Sequence, residues 1–129
     1  MFLLFHCAAL LKIDDILKRS INEVPGGLSD VEIEKEAKFL NVDFYESTET
    51  LKTVKFLGNK VVRIKNAAFQ NCSYLESINL EVCINLISIP LKCFQNCVSL
   101  RSINFPIGLR SISHSAFSCC TNLVNVNLT

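Results

Sequence analysis

Ile64-Lys-Asn-Ala-Ala-Phe69-Gln-Asn-Cys72-Ser-Tyr-Leu75-Glu-Ser-Ile78-Asn-Leu80 returns as Ile89-Pro-Leu-Lys-Cys-Phe94-Gln-Asn-Cys97-Val-Ser-Leu100-Arg-Ser-Ile103-Asn-Phe105. It returns again as Ile112-Ser-His-Ser-Ala-Phe117-Ser-Cys-Cys120-Thr-Asn-Leu123-Val-Asn-Val126-Asn-Leu128. All internal offsets agree over 17 residues, and the phenylalanines recur after 25 and then 23 positions. Such self-similarity at a short period marks a repeat architecture. In Leu-x-x-Ile-x-Leu the last two apolar residues share one strand face and the residue between them faces out. A period of 23–25 residues is too short for a strand–helix–strand unit and fits one solenoid coil. Equivalent residues of successive coils then stack in columns about 4.8 Å apart. One coil cannot bury its apolar face alone, so the unit works only as an array.

The register extends outward from this core. Leu51-Lys-Thr-Val54-Lys-Phe56 matches Leu75 to Leu80, and Val61, Leu86 and Leu109 each stand three positions before the conserved-offset isoleucine. Upstream of residue 50 the match decays, leaving Leu40 and Tyr45 as a worn copy. Leu10, Ile13, Leu17 and Ile21 lie near one side of an amphipathic helix, broken at Pro25-Gly26-Gly27. Ser29-Asp-Val-Glu32 has the form of a capping box and predicts a second helix over Asp30 to Leu40. The expected organisation is an N-terminal helical cap over residues 1–40 and a solenoid of three to four repeats over 41–129. The chain stops at Thr129 just after a strand, which points to a fragment of a longer array, with self-association through that uncovered end as a further expectation.

Composition fits one folded domain: 129 residues, 50% hydrophobic, 19% charged. A net charge of +1 gives no electrostatic footprint for nucleic acid. Residues 1–40 carry five Lys/Arg and seven Asp/Glu, and residues 41–129 carry eight and five. Met1 to Leu11 is apolar but too short to span a bilayer, and His6 interrupts it. It reads either as the first turns of a packed helix or as a short signal peptide ending near Cys7-Ala8-Ala9. No integral membrane segment is expected.

The pattern Ile-x-x-x-Ala-Phe-x-x-Cys-x-x-Leu-x-x-Ile-x-Leu-Pro resembles the BspA-type leucine-rich repeat, followed closely by Ile112, Ala116, Phe117, Cys120, Leu123, Val126 and Leu128. Phe105-Pro106 keeps the proline after the strand. Glu81 replaces that proline, Cys93 replaces the small alanine, and two extra residues lie around Glu81–Asn85. The resemblance covers about residues 51–129. It implies an α/β leucine-rich-repeat right-handed solenoid, rich in strands with short helical turns, set behind the helical cap. It also implies a surface or secreted adhesion protein whose partner is a protein, such as a host or matrix glycoprotein. The alternatives from another class are a cytoplasmic scaffold for a protein partner and a spacer in a longer array.

Seven cysteines are present, and Cys72, Cys97 and Cys120 share one repeat column, where a small buried thiol fills the turn. Stacked parallel side chains oppose disulfide geometry. Cys93, Cys97, Cys119, Cys120 and His114 lack zinc-ligand spacing, so no metal is expected. Four glycines form no phosphate loop, the two histidines have no nucleophile partner, and the five acidic residues after position 41 are scattered. No catalytic site and no cofactor are expected. Asn71-Cys72-Ser73 and Asn127-Leu128-Thr129 match the glycosylation triplet, but Asn71 sits where a turn amide bonds the backbone.

The candidate ligand face is the outward side of the strands. Its columns are Thr53, Ser77, Ser102 and Asn125; Lys55, Asn79, Asn104 and Asn127; and, at the edge, Lys52, Glu76, Arg101 and Val124. The other reading of the asparagines is a ladder that solvates the sheet. Small polar side chains without aromatic anchors predict weak, multivalent binding.

Overall fold

The computed structural model describes residues 26–127. Nine short strands run in chain order: β1 Asp30–Ile33, β2 Phe39–Leu40, β3 Thr53–Phe56, β4 Arg63–Ile64, β5 Ser77–Asn79, β6 Ser88–Ile89, β7 Ser102–Asn104, β8 Ser111–Ile112 and β9 Asn125–Asn127. The chain winds through about four coils. Each coil has a long-strand wall (odd strands), a short-strand wall (even strands) and a turn side. All pairing is parallel, as β1–β3, β2–β4, β5–β7–β9 and β6–β8. β3 and β5 share no ladder, nor do β4 and β6.

Each coil sends one residue into each core column. Leu28, Leu51, Leu75 and Leu100 head the coils at 1% exposure or less. Val31, Val54, Ile78 and Ile103 follow, then Ile33, Phe56, Leu80 and Phe105, all buried. On the turn side Phe44, Phe69, Phe94 and Phe117 stack with centroids 5.1, 5.3 and 5.2 Å apart. That distance matches the rung spacing of a parallel ladder, so the rings and the backbone share one repeat.

The turn side is closed by bonds between coils. Phe44 N donates to Ala68 O, Phe69 N to Cys93 O and Phe94 N to Ala116 O at 2.8–3.0 Å. Ala67, Lys92 and Ser115, two residues before the phenylalanine, and Asn71, Asn96 and Cys119, two after it, all have φ between 56 and 65°. In coils two to four, two left-handed residues per coil turn the chain without a glycine, at a cost that Asn bears best. The Asn96 amide donates to Asn71 Oδ1 (2.7 Å), and Gln70 Nε2 to Gln95 Oε1 (2.6 Å). Asn71 therefore bonds its neighbour in the next coil, and not the backbone as expected. The helical turns expected here shrink to one 3-10 turn at Tyr45–Ser47 and hydrogen-bonded turns in the later coils.

The expected helix over Asp30–Leu40 does not form. Leu28-x-x-Val31-x-Ile33 repeats the Leu-x-x-Val-x-Phe of coil two, and β1 pairs with β3 in register Val31↔Val54. Burial of Leu28, Val31 and Ile33 and a parallel ladder outweigh a helix-start signal worth about 1 kcal/mol. Ser29 Oγ instead donates to Asp30 Oδ2 at 3.1 Å. The solenoid thus reaches back to residue 28 and takes residues 28–40 as coil one. Phe44, not Tyr45, fills the aromatic column, while Tyr45 is 73% exposed. The expected helix over Leu10–Ile21 and the leader Met1–Leu11 lie outside the described residues.

Candidate ligand-binding face

The residue alternation that buries the core also lines up the outward columns. Ser77, Ser102 and Asn125 face one another in register, as do Asn79, Asn104 and Asn127. Thr53 and Lys55 lie on the same wall but pair with coil one, as Asp30↔Thr53 and Glu32↔Lys55. Lys52, Glu76, Arg101 and Val124 form the edge column, all exposed. Backbone bonds tie this edge together: Lys52 N donates to Ser29 O, Arg101 N to Glu76 O and Val124 N to Arg101 O. All the expected face residues therefore stand on one wall, divided by the break between β3 and β5.

Two acidic residues join the face that the helix expectation had hidden. Asp30 Oδ1 accepts from Thr53 Oγ1 at 2.6 Å, and Glu32 stands opposite Lys55. The signal was present in the spacing, since Leu28, Val31 and Ile33 repeat Leu51, Val54 and Phe56 after 23 residues. Asn79 and Asn104, opposite each other in the register, each bond Glu81. Asn79 Oδ1 accepts from Glu81 N (2.9 Å) and caps the strand end, while Asn104 Nδ2 donates to Glu81 Oε1 (3.0 Å). Glu81, the residue in place of proline, holds both.

At the corner between the walls, Gly58 lets two coils approach closely: a Cβ there would strike the Lys35 carbonyl. A cleft of about 510 Å³ opens beside it, lined by Lys35, Glu36, Leu57, Lys60, Val82 and Ile84. Lys60 beside Glu36 (2.5 Å) holds that carboxyl below its usual range. Such exposed pairs add little stability but fix local charge.

The cysteine column is a buried structural line. Cys97 Sγ donates to Phe69 O (3.1 Å) and Cys120 Sγ to Phe94 O (3.0 Å). Ser47 takes the same position in coil one and accepts from Leu28 N at 3.1 Å. Burial pushes the Cys72 and Cys83 thiols up to about 12 and holds Cys93 and Cys97 well above the ordinary thiol value. Thiols so raised stay protonated and unreactive at neutral pH. Among the described residues no three His, Cys, Asp or Glu side chains group as a metal site. The wall presents hydroxyls and amides in registered columns, with charged residues among them.

A family model of the BspA type leucine rich repeat region matches residues 26–129, in six copies. Among solved structures the chain is similar to the crystal structure of a leucine rich cell surface protein from Faecalibacterium prausnitzii A2-165. Identity is 27%, coverage 82% of this chain and 31% of that one, with a TM-score of 0.52. The chain thus spans about a third of that protein's length. No curated protein matches. No helix among the described residues is long and apolar enough to cross a membrane.

Proposed function

The chain belongs to the BspA-type leucine-rich-repeat family, and on that premise we propose that it is a non-catalytic binding module of a cell-surface or secreted protein that adheres to a protein partner. The observation that carries this is the long-strand wall. Its outward columns repeat small polar residues coil after coil, so that contact area and hydrogen bonds add with length. The similar cell surface protein supports the location. The residues that make contact are Lys52, Thr53, Lys55, Glu76, Ser77, Asn79, Arg101, Ser102, Asn104, Asn125 and Asn127. Partners that extend across several rungs, such as matrix glycoproteins, suit this array.

A cytoplasmic scaffold is the second reading, favoured by the column of free thiols at Cys72, Cys97 and Cys120. An antibody to residues 41–129 separates the two on intact, unpermeabilised source cells. Surface signal lost on gentle protease treatment supports adhesion, and signal only after permeabilisation sinks it. Charge swaps at Lys52, Lys55 and Arg101 then test the wall. Partner capture unchanged by all three removes it as the site.

A further inference from the structure

The charges divide between the two walls. On the long-strand wall Asp30, Glu32, Glu76 and Glu81 offset Lys52, Lys55 and Arg101. On the short-strand wall Lys38, Arg63, Lys65 and Arg110 stand exposed, with Lys92 on the adjoining turn, beside one carboxylate, Asp43. Lys65 occupies Asp43 at 2.8 Å. Among the described residues no carboxylate pairs with Arg63, Lys92 or Arg110. A near-neutral chain therefore presents one distinctly cationic side.

This side also carries apolar surface and a recess. Val62, Ile87 and Leu91 are 39%, 49% and 40% exposed between the cations. The Arg63 guanidinium lies 5.4 Å from the centroid of the Phe39 ring, itself 44% exposed. Phe39, Asn41, Arg63 and Lys65 line a cleft of about 340 Å³. A guanidinium already set against an aromatic face has less freedom to lose when a carboxylate arrives.

We propose that the short-strand wall docks an acidic peptide segment, whose carboxylates meet Arg63, Lys92 and Arg110 and whose apolar side chains cover Val62 and Ile87. Charge complementarity chooses the sign of the partner. The interleaved apolar residues favour its class, because a heavily sulfated glycan has far less apolar surface to bury against Val62 and Ile87 than a peptide with apolar side chains. The site is distinct from the long-strand wall and does not depend on it.

The probe is a fluorescein-labelled peptide of alternating Glu and Leu, titrated with the full chain at physiological ionic strength and read by anisotropy. Arg63→Glu with Arg110→Glu should weaken binding by about tenfold or more, whereas Lys35→Glu with Lys60→Glu, an equal charge change at the corner, should leave it within about twofold. Val62→Ser with Ile87→Ser should cost several-fold. Circular dichroism of each double variant checks that the fold is kept. Equal losses from both charge pairs would reduce the effect to diffuse attraction and overturn the proposal. So would an unchanged affinity in the serine variant, or a heparin oligosaccharide that binds more tightly than the peptide and displaces it. Failure on any of these counts leaves the long-strand reading standing.

Discussion

The turn side and the strand walls hold the same coils together in different ways. On the turn side the rings of coils one to four form one unbroken stack, and the backbone bonds across each interface. Along the walls the ladders stop between β3 and β5 and between β4 and β6. Coil three carries the longest corner, with six positions from Leu80 to Leu86 against five from Phe56 to Val61 and four from Phe105 to Leu109. Corner length does not decide where the ladders stop, since coils three and four differ by two positions and stay paired, while the turn keeps one length. Only the turn side bonds through every one of these joints, whereas the wall ladders skip the one between coils two and three.

The contrast can be broken most directly at the rings. Phe94→Ala should cost about 3–5 kcal/mol in urea denaturation, because Phe94 is fully buried between two rings, while Ser77→Ala on the wall should stay within about 0.5 kcal/mol. Similar losses from the two would end the distinction. At the corner, Gly58→Ala forces the coil-one backbone at Lys35 to move and should cost about 1–3 kcal/mol. A neutral result would mean the first two coils are not held there. Cys119 occupies a left-handed position that Asn71 and Asn96 fill in earlier coils, so Cys119→Asn should stabilise the fold by about 0.5 kcal/mol, seen as a raised Tm.

The smallest effect concerns pH. The hydrogen bond from Lys65 holds the Asp43 carboxyl below its ordinary value of 3.8. A depressed folded value means that the pair stabilises above the unfolded value and that this is lost as pH falls through the folded one. The Asp43 side chain is 40% exposed, so solvent screening keeps the gain small. Urea midpoints of the natural chain and Asp43→Asn should differ slightly at pH 7 and converge as the pH drops below 3.8. A constant gap would assign the effect to packing.

Most of the solenoid was legible in the sequence, because each column demands one residue type and Phe, Cys and Leu are distinctive. Coil one was not. Its aromatic lies one position early at Phe44, its cysteine is Ser47, and Ser29 to Glu32 imitates a helix start. Only the weak Leu28, Val31, Ile33 spacing pointed to a strand, and the burial it enables is visible only once coil two is stacked on it. On the candidate face the columns were legible and the contacts were not. Glu81 binds Asn104 across coils from two positions beyond that residue's strand partner Asn79, a pairing set by the corner's geometry. The cationic wall was missed because its charges are spread from Lys38 to Arg110, with successive gaps of 25, 2, 27 and 18 residues, and join only through winding.

The missing ladder between the second and third coils has a mechanical side. Backbone bonds across that joint are Ala67 to Leu91, Phe69 to Cys93 and Asn71 to Gln95, all on one edge, with the Asn85 side chain reaching Asn59 O at the corner. A force along the solenoid axis is therefore carried off centre. Under such a load this joint, bonded along one edge only, is expected to open first at the walls, with the stacked rings of Phe69 and Phe94 as its pivot.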